Sequence, residues 1–350
     1  MNNLKLLILP LGIILISTFS PVIPPAKAGH QLSPEAWIEI RKMYRQKIPP
    51  TTIAEEITAL TGNGARQAGP KLIDRGNKAL PDIHEALLQP DLPPLEGLRL
   101  LQVIGPIGGK SSVPVLLKIL RSNPDSPLRR DMLLTLAKLP TTVNAAKFIT
   151  ALAADEKEPW KTRRMAFTWF GLHRDKRGLV FAETLKNDPD PGRQAAGIYV
   201  LARLEDRSVL DSINRIFTTG APANLRDTLM ISIAELTSPE EFKRLAPSSL
   251  NWSSGYKNAL TYSRYREAKH DEKKDICQEM LKSSSPGHLT LAVRCLLESG
   301  NAEALRPHAA LSLEAPGRDA LIRNEIRKAG WQIIDTDDEF LILPPDAANR

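Results

Sequence analysis

The feature that most constrains this fold is a repeat of apolar helical segments between residues 79 and 245. Five short segments each end on an apolar residue, and these closing residues follow one another at intervals of 33, 32, 33 and 31 positions. The closing residues are Leu87, Leu120, Leu152, Leu185 and Ile216. A longer segment follows each one, at residues 95–104, 128–139, 161–172, 193–204 and 225–236. In these segments apolar residues recur every three or four positions, as in a helix with one buried face.

A two-helix unit of this length cannot bury its apolar face alone, so successive units must stack on one another. Turn residues separate the helices, as in the Asn-Asp-Pro-Asp-Pro-Gly sequence at residues 187–192. The sequence therefore predicts an all-α fold, an α-solenoid (superhelix) of helix pairs over residues 76–329. Residues 29–75 are expected to form an N-terminal helical capping segment.

The repeat carries a family resemblance. The sequence Gly-Asn-Lys-Ala-Leu-Pro at residues 76–81 is followed by a helix, a gap rich in Pro and Asp, and a second helix led by Arg or Leu. This pattern resembles a HEAT repeat, and most of all the short HEAT-like repeats named after phycobilisome lyases. The resemblance covers roughly residues 64–325 and implies an armadillo-type fold. It implies no particular chemistry, because such repeats serve scaffolds, adaptors and a few enzymes.

The first 28 residues have the composition of a secretory signal peptide. Lys5 precedes an apolar stretch at residues 6–16, and Ala26 and Ala28 form a small-residue cleavage site before Gly29. A retained membrane anchor is the alternative, but four prolines in this segment disfavour a continuous spanning helix. We expect cleavage, export to the periplasm or medium, no remaining membrane span, and a net charge that falls from +7 to +5 with the loss of two lysines.

The capping segment also has a second interpretation. Ser33 is expected to cap one helix, and Thr51 or Thr52 the next, and the Pro turn between the helices resembles the start of a DNA-binding helix-turn-helix. An exported chain does not meet the genome, so we favour a solenoid cap. Charges at the position two before each closing residue also alternate in sign, as at Glu85 and Lys118. Tracking a phosphate backbone needs clustered cations, so we expect no nucleic-acid partner.

Two clusters are candidate binding sites. The first is basic: Lys161, Arg163, Arg164, Arg174, Lys176 and Arg177. It suits an acidic partner, a polysaccharide or a lipid headgroup, although a solvated helix face is the simpler interpretation. The second cluster lies where the repeat period slips: Trp252, Tyr256, Tyr262, Arg264, Tyr265 and Arg266. Tyr, Trp and Arg are the residue types that anchor interfaces, and Trp252 and Tyr256 are spaced to share a helix face. Filling of the space left by the broken repeat is the alternative.

Cys277 and Cys295 are placed on two consecutive predicted helices, each nine residues from Pro286. Antiparallel packing puts them at the same height, so they form either a disulfide or two small core residues.

Beyond Gly330, residues 331–334 and 340–343 have the pattern of a β-hairpin, which we expect to dock on the last helices as a cap. The acidic turn between them lacks the glycine that an EF-hand calcium loop needs.

No catalytic or metal-binding motif is recognisable, so we expect no cofactor and no metal. The iron site of deoxyhypusine hydroxylase, a HEAT-like enzyme, needs several His-Glu pairs, and only His84 and Glu85 match. We therefore expect a non-enzymatic scaffold or adaptor with a protein partner. The alternative is a module that binds carbohydrate or cell-envelope polymer through residues 252–266. A third interpretation, an enzyme with a composite site between repeats, cannot be tested by sequence spacing.

Overall fold

The computed structural model describes residues 51–62, 64–218, 223–247, 249, 253–283, 285–308, 316–335 and 340–345. Contacts divide the chain into two units, residues 1–49 and 50–350, and every described residue belongs to the second. The predicted signal peptide and the first predicted capping helix therefore lie outside the described residues.

The described part of the chain is almost entirely helical. Its seventeen α-helices are α1 (Ile53–Thr61), α2 (Ala65–Arg75), α3 (Leu80–Leu87), α4 (Pro94–Ile107), α5 (Ser112–Ser122), α6 (Arg129–Lys138), α7 (Val143–Ala154), α8 (Trp160–Leu172), α9 (Leu179–Leu185), α10 (Pro191–Arg203), α11 (Leu210–Thr218), α12 (Ala223–Leu236), α13 (Pro239–Leu245), α14 (Ser254–Glu267), α15 (His270–Met280), α16 (Pro286–Glu298) and α17 (Pro316–Lys328). Short 3₁₀ helices occupy Gly76–Ala79, Lys176–Gly178, Arg207–Val209 and Ala302–His308.

The predicted repeat corresponds closely to observed helices. Helices α4, α6, α8, α10 and α12 each begin and end within three residues of the predicted second segments. Of the five closing residues, four are buried, and Leu185 is half-buried against the same core. Helix α15 begins at His270 with polar turns that carry no apolar periodicity. Helix α1 is capped by Thr52, whose side chain accepts from the Glu55 amide while the Glu55 carboxylate accepts from the Thr52 amide.

The second helix of each pair packs along its neighbours. Extensive contacts join α2 to α4, α4 to α6, α6 to α8, α8 to α10, α10 to α12 and α12 to α14. The first helices α3, α5 and α7 touch one another at only a few residues. The second helices therefore form one continuous row of neighbours.

Arginine side chains tie successive helices together. Several donate to carbonyls in the last turn of a preceding helix: Arg99 to α1, Arg129 to α5, Arg163 to α7, Arg203 to α8 and Arg266 to α12. The last carbonyls of a helix have no hydrogen-bond partner within the helix, and they lie at the negative end of its dipole. A guanidinium donates hydrogen bonds to these carbonyls and also brings a positive charge to that end. These bonds fix the position of each helix relative to another.

The last described helix packs against one of the first. Helix α17 contacts α16, α2 and, at fewer residues, α4. At this closing interface, Asp74 of α2 accepts from Arg323 Nε at 2.6 Å and from Arg327 Nη1 at 2.8 Å. The Pro106 carbonyl of α4 accepts from Asn324 Nδ2 at 2.8 Å and from Lys328 Nζ at 2.7 Å. Each helix neighbour therefore leads to the next around a closed circuit, where an open superhelix would leave its ends apart.

Two strands follow α17. Strands β1 (Gln332–Asp335) and β2 (Phe340–Leu343) pair antiparallel, with Ile333 opposite Ile342. Strand β1 contacts α17 and β2 contacts the 3₁₀ helix Ala302–His308, where Arg306 Nε donates to the Phe340 carbonyl at 3.1 Å. The residues that connect the strands lie outside the described part of the chain.

Candidate functional site

Half of the basic residues singled out in the sequence have partners within the protein. Arg163 caps α7 through the Ala153 carbonyl, and Arg177 pairs with Asp175. Arg174 bridges Glu205 and Glu235. Lys161 and Lys176 are exposed, and Arg164 is half-buried. Three of the six therefore already serve the fold.

The aromatic and basic stretch is mostly used inside the protein. Helix α14 begins at Ser254, so Trp252 is not part of it and lies outside the described residues. Tyr256 is buried against Phe242, with 5.1 Å between ring centroids. The remaining members have partners as follows: Tyr262 faces Glu235 and Arg203, Arg264 pairs with Glu279, Tyr265 lies under Lys273, and Arg266 donates to the Ala234 carbonyl. The stretch presents no row of coplanar exposed rings among the described residues.

Cys277 of α15 and Cys295 of α16 form a disulfide, with their Cα atoms 6.5 Å apart. Both are also buried in a core shared by α15, α16 and α17. The sequence left open whether these cysteines form a disulfide or are small core residues. The structure shows a disulfide, and the bond lies within an apolar core.

His84 contacts a hydroxyl that the sequence did not suggest. Its Nε2 atom lies 2.7 Å from Ser112 Oγ, and burial lowers the pKa of His84. A serine hydroxyl can become a nucleophile when a base such as histidine lies within hydrogen-bond distance of it. Ser112, however, is fully buried in the first turn of α5, so a substrate could not reach its Oγ in this structure. We interpret the pair as a polar tie between α3 and α5.

One side of the second helices carries a row of side chains that we call the inner face, most of them half-buried: Leu134, Lys138, Arg164, Thr168, Tyr199, Arg203, Ile231, Glu235 and Tyr262. On each helix these residues are spaced four apart or stand alone, so they share one side. Lateral contacts join the row across helices. Lys138 lies over Gly105 of α4, and the Tyr199 ring lies directly over Gly171 of α8, where no side chain would fit.

The centre of the inner face is a charged cluster around Glu235, which is only 1% exposed. Its Oε2 accepts from Arg203 Nη1 at 2.7 Å, and its Oε1 contacts Arg174. Burial and the charge of Glu235 raise the pKa of Tyr262, and burial raises the pKa of Tyr199. Both phenols therefore stay neutral at physiological pH and serve as hydrogen-bonding groups. The cluster connects α8, α10, α12 and α14.

The second helices α6 and α8 also carry three cations, Arg130, Lys138 and Arg164. Arg130 of α6 and Arg164 of α8 lie close enough that, after burial, the charge of Arg130 lowers the pKa of Arg164. Burial also lowers the pKa of Lys138, partly offset by Asp131, although the Lys138 side chain is exposed to solvent. Arg164 belongs to the basic cluster that the sequence indicated, whereas Arg130 and Lys138 come from the preceding repeat and were not part of it.

Among the described residues, no group of three or more His, Cys, Asp and Glu side chains is placed to hold a metal ion. None of the described helices combines the length and apolar character needed to cross a membrane. No known family model matches the chain, and no curated protein is significantly similar to it. The function is therefore argued from the inner face itself.

Proposed function

We propose that this protein is an exported, non-enzymatic scaffold built from HEAT-like helix pairs, which binds a protein partner on its inner face. The observation that carries the proposal is the lateral fixing of that face: Arg203, Glu235 and Tyr199 each contact a neighbouring second helix. A surface held in place before binding loses little conformational entropy when a partner docks.

The composition of the inner face supports a protein partner. It combines Tyr and Arg side chains with the half-exposed apolar residues Leu134 and Ile231. Tyr and Arg dominate the energetics of protein interfaces, so this mixture of side chains suits a protein partner. The alternative of a polymer-binding module at residues 252–266 draws little support, because stacking on sugars needs exposed rings and Tyr256 is buried.

Site-specific crosslinking in the cells that naturally make the protein tests the binding face. A photo-crosslinking residue is placed at Leu134 or Thr168 on the inner face, and at Lys147 on the outer helix α7 as the control. We expect one and the same protein to be captured from both inner positions and not from Lys147. Capture only from Lys147, or no capture from either inner position, would contradict the proposal.

The exported location is tested separately by the intact mass of the protein purified from those cells. We expect a chain that begins at Gly29 and therefore has 322 residues, 350 minus the 28 of the predicted signal peptide. A cytoplasmic fraction that contains the full chain beginning at Met1 would remove this part of the proposal and leave the binding face untouched.

A further inference from the structure

We propose that a cavity between the first helices α5 and α7 binds a small organic anion that has a short apolar chain. The cavity has a volume of about 440 Å³, which lies in the range typical of small-molecule sites. Its lining residues are Pro114, Leu117, Lys118, Arg121 and Ser122 of α5 and Asn144 of α7. This site is separate from the inner face, which belongs to the second helices, and it adds a ligand to the proposed scaffold function.

The cavity has an apolar wall. Helices α5 and α7 meet at only a few residues, which leaves space between them. Pro114 and Leu117 line this space, and Leu117 is only 3% exposed. Val143, directly before Asn144, is an apolar side chain that is 70% exposed. An apolar chain that lies against Pro114 and Leu117 is removed from water, and this favours its binding.

Two cations lie on the same side of α5 as the apolar wall. Lys118 follows Pro114 by four positions and Arg121 follows Leu117 by four, so the four side chains share one helix face. Arg121 Cζ lies 5.9 Å from the centre of the Phe148 ring of α7, a cation–π contact that places the guanidinium beside the second helix of the cavity. An ammonium and a guanidinium therefore border the same space.

No carboxylate on these two helices competes for the cations. Helices α5 and α7 contain no Asp or Glu, although they carry Lys118, Arg121 and Lys147. Among the described residues, Lys118 and Arg121 form no ion pair. The nearest acid along the chain, Asp125, is exposed in the turn after α5 and does not line the cavity. The charge that the cavity accommodates is therefore negative.

An anionic amphiphile matches both parts of the cavity. A carboxylate or phosphate group forms charge-assisted hydrogen bonds with the Arg121 guanidinium and pairs with the Lys118 ammonium. Ion pairs of accessible side chains contribute little by themselves, so the affinity also depends on the apolar chain. A fatty acid and the lipids of a membrane share this chemistry. The enclosed volume between two helices favours the free molecule over the surface of a bilayer.

Isothermal titration calorimetry of the purified protein with octanoate tests the ligand class, at low ionic strength where charge pairing is least screened. 1-Octanol provides the same chain without the charge, and acetate provides the charge without the chain. We expect octanoate to bind more tightly than either of them. Equal affinities for octanoate and octanol, or for octanoate and acetate, would overturn the proposal.

Single substitutions assign the charge to the cavity. Lys118→Gln and Arg121→Gln should each weaken octanoate binding by about threefold to fivefold, the effect of losing an accessible ion pair, and leave octanol binding unchanged. Lys147→Gln is the matched control, because it removes the same charge from α7 at a residue that does not line the cavity. Equal weakening by Lys147→Gln would mean that only the overall charge acts, and it would reject the site.

A blocking variant and a membrane probe complete the test. Asn144→Trp places a large ring at the exposed edge of the cavity and should weaken both octanoate and octanol binding at least about tenfold, with an unchanged melting temperature. Undiminished octanoate binding by this variant would overturn the proposal. Binding to phosphatidylglycerol vesicles without binding of octanoate would also overturn it, because the cations would then serve a membrane surface. None of these outcomes affects the crosslinking test of the inner face.

Discussion

At the scale of single residues, two side chains stand where the backbone would prefer glycine. Arg174 and Glu205 follow α8 and α10 and have φ angles of 48° and 67°, in the left-handed region. Gly300 and Gly330 occupy the same position after α16 and α17. A non-glycine residue in this conformation destabilises the fold by on the order of 1 kcal/mol. The contacts of the two side chains explain why Arg and Glu occupy these positions. Arg174 Nη1 lies 2.8 Å from Glu205 Oε1, and its other end contacts buried Glu235.

The first prediction concerns Glu235. Glu235→Gln removes the negative charge between two guanidinium groups while keeping the shape of the side chain. Breaking a buried ion pair from one side costs about 3–5 kcal/mol, and Gln retains part of the hydrogen bonding, so we expect a loss of about 2–3 kcal/mol. Urea unfolding gives the free energy.

The control for this prediction is Glu205→Gln, which removes the exposed partner of Arg174. An exposed pair contributes about 0–1 kcal/mol, so this variant should unfold nearly like the unmodified protein. If the two variants lost the same free energy of unfolding, the burial of Glu235 would not make its ion pairs more stabilising than the exposed pair of Glu205.

At the scale of elements, α15 contributes few apolar side chains to the core that it shares with its neighbours. Its sequence from His270 to Met280 provides only Ile276, Cys277 and Met280 to the core that it shares with α16 and α17. So few apolar side chains give a helix little tertiary stabilisation, and isolated helices of this length are marginal in water. The disulfide to Cys295 therefore matters more here than it would on a helix with a wide apolar face.

The second prediction follows from that helix. Reduction of the disulfide should lower the stability of the protein by about 3 kcal/mol, the value expected for a loop of this size. Amide exchange should rise first in residues 270–280, with little change in α3. Hydrogen exchange with and without reductant provides the measurement. The Cys277→Ala, Cys295→Ala double variant should not respond to reductant, and a response there would assign the effect to something other than this bond.

At the scale of the whole described unit, the closing interface differs from the other contacts between helices. The apolar core falls into two clusters, one from α1 to α14 and one from α15 to the strands. Where α17 meets α2 and α4, many of the described contacts are polar: Asp74 with two arginines, and the Pro106 carbonyl with Asn324 and Lys328. A polar interface responds to pH and to single-atom changes more than an apolar one does.

The third prediction is a pH dependence that arises at Asp74. Burial alone would raise the pKa of Asp74, but the hydrogen bonds and charges of Arg323 and Arg327 outweigh it and hold the pKa below its usual value. A carboxyl whose pKa is lower in the folded state adds stability above its unfolded pKa, and this stability is lost as pH falls through the folded pKa.

Asp74→Asn should therefore lower the free energy of unfolding by about 2 kcal/mol at neutral pH. The difference from the unmodified protein should disappear below the folded pKa of Asp74. Chemical unfolding across pH 2–7 measures both. Asp125→Asn in an exposed turn is the matched control and should show neither effect. A difference that persists at the acid end would mean that Asp74 acts through its shape and not through its charge.

The fourth prediction concerns Gly108, which has a φ of 70° and lies beneath Lys328. A Cβ at this position would stand 2.9 Å from Lys328 Nζ and displace it from the Pro106 carbonyl. Gly300 has a φ of 71° with no atom within 4 Å of an added Cβ. Both Gly→Ala variants share the backbone strain of about 1–2 kcal/mol.

Gly108→Ala should therefore destabilise the protein more than Gly300→Ala does. It should also increase amide exchange in residues 316–328 and 65–75, on the two sides of the closing interface. Mass spectrometry of exchanged peptides tests this. Equal exchange in the two variants would indicate that Lys328 does not help to hold the closing interface.

The sequence by itself determined the helices and their repeat. The closing residues from Leu87 to Ile216 and the helix bounds follow from apolar periodicity, turn residues and caps, which are local properties of the chain. The sequence also placed Cys277 and Cys295 opposite each other on antiparallel helices, because each lies nine residues from Pro286 in the turn between them. The tertiary structure alone decided three further points: that Tyr256 is buried, that Arg203 meets Glu235, and that Asp74 meets Arg323. These contacts join residues up to 249 positions apart, and they depend on how far each helix pair rotates relative to the next. That rotation is set by side-chain packing between neighbouring helices, which sequence periodicity does not specify.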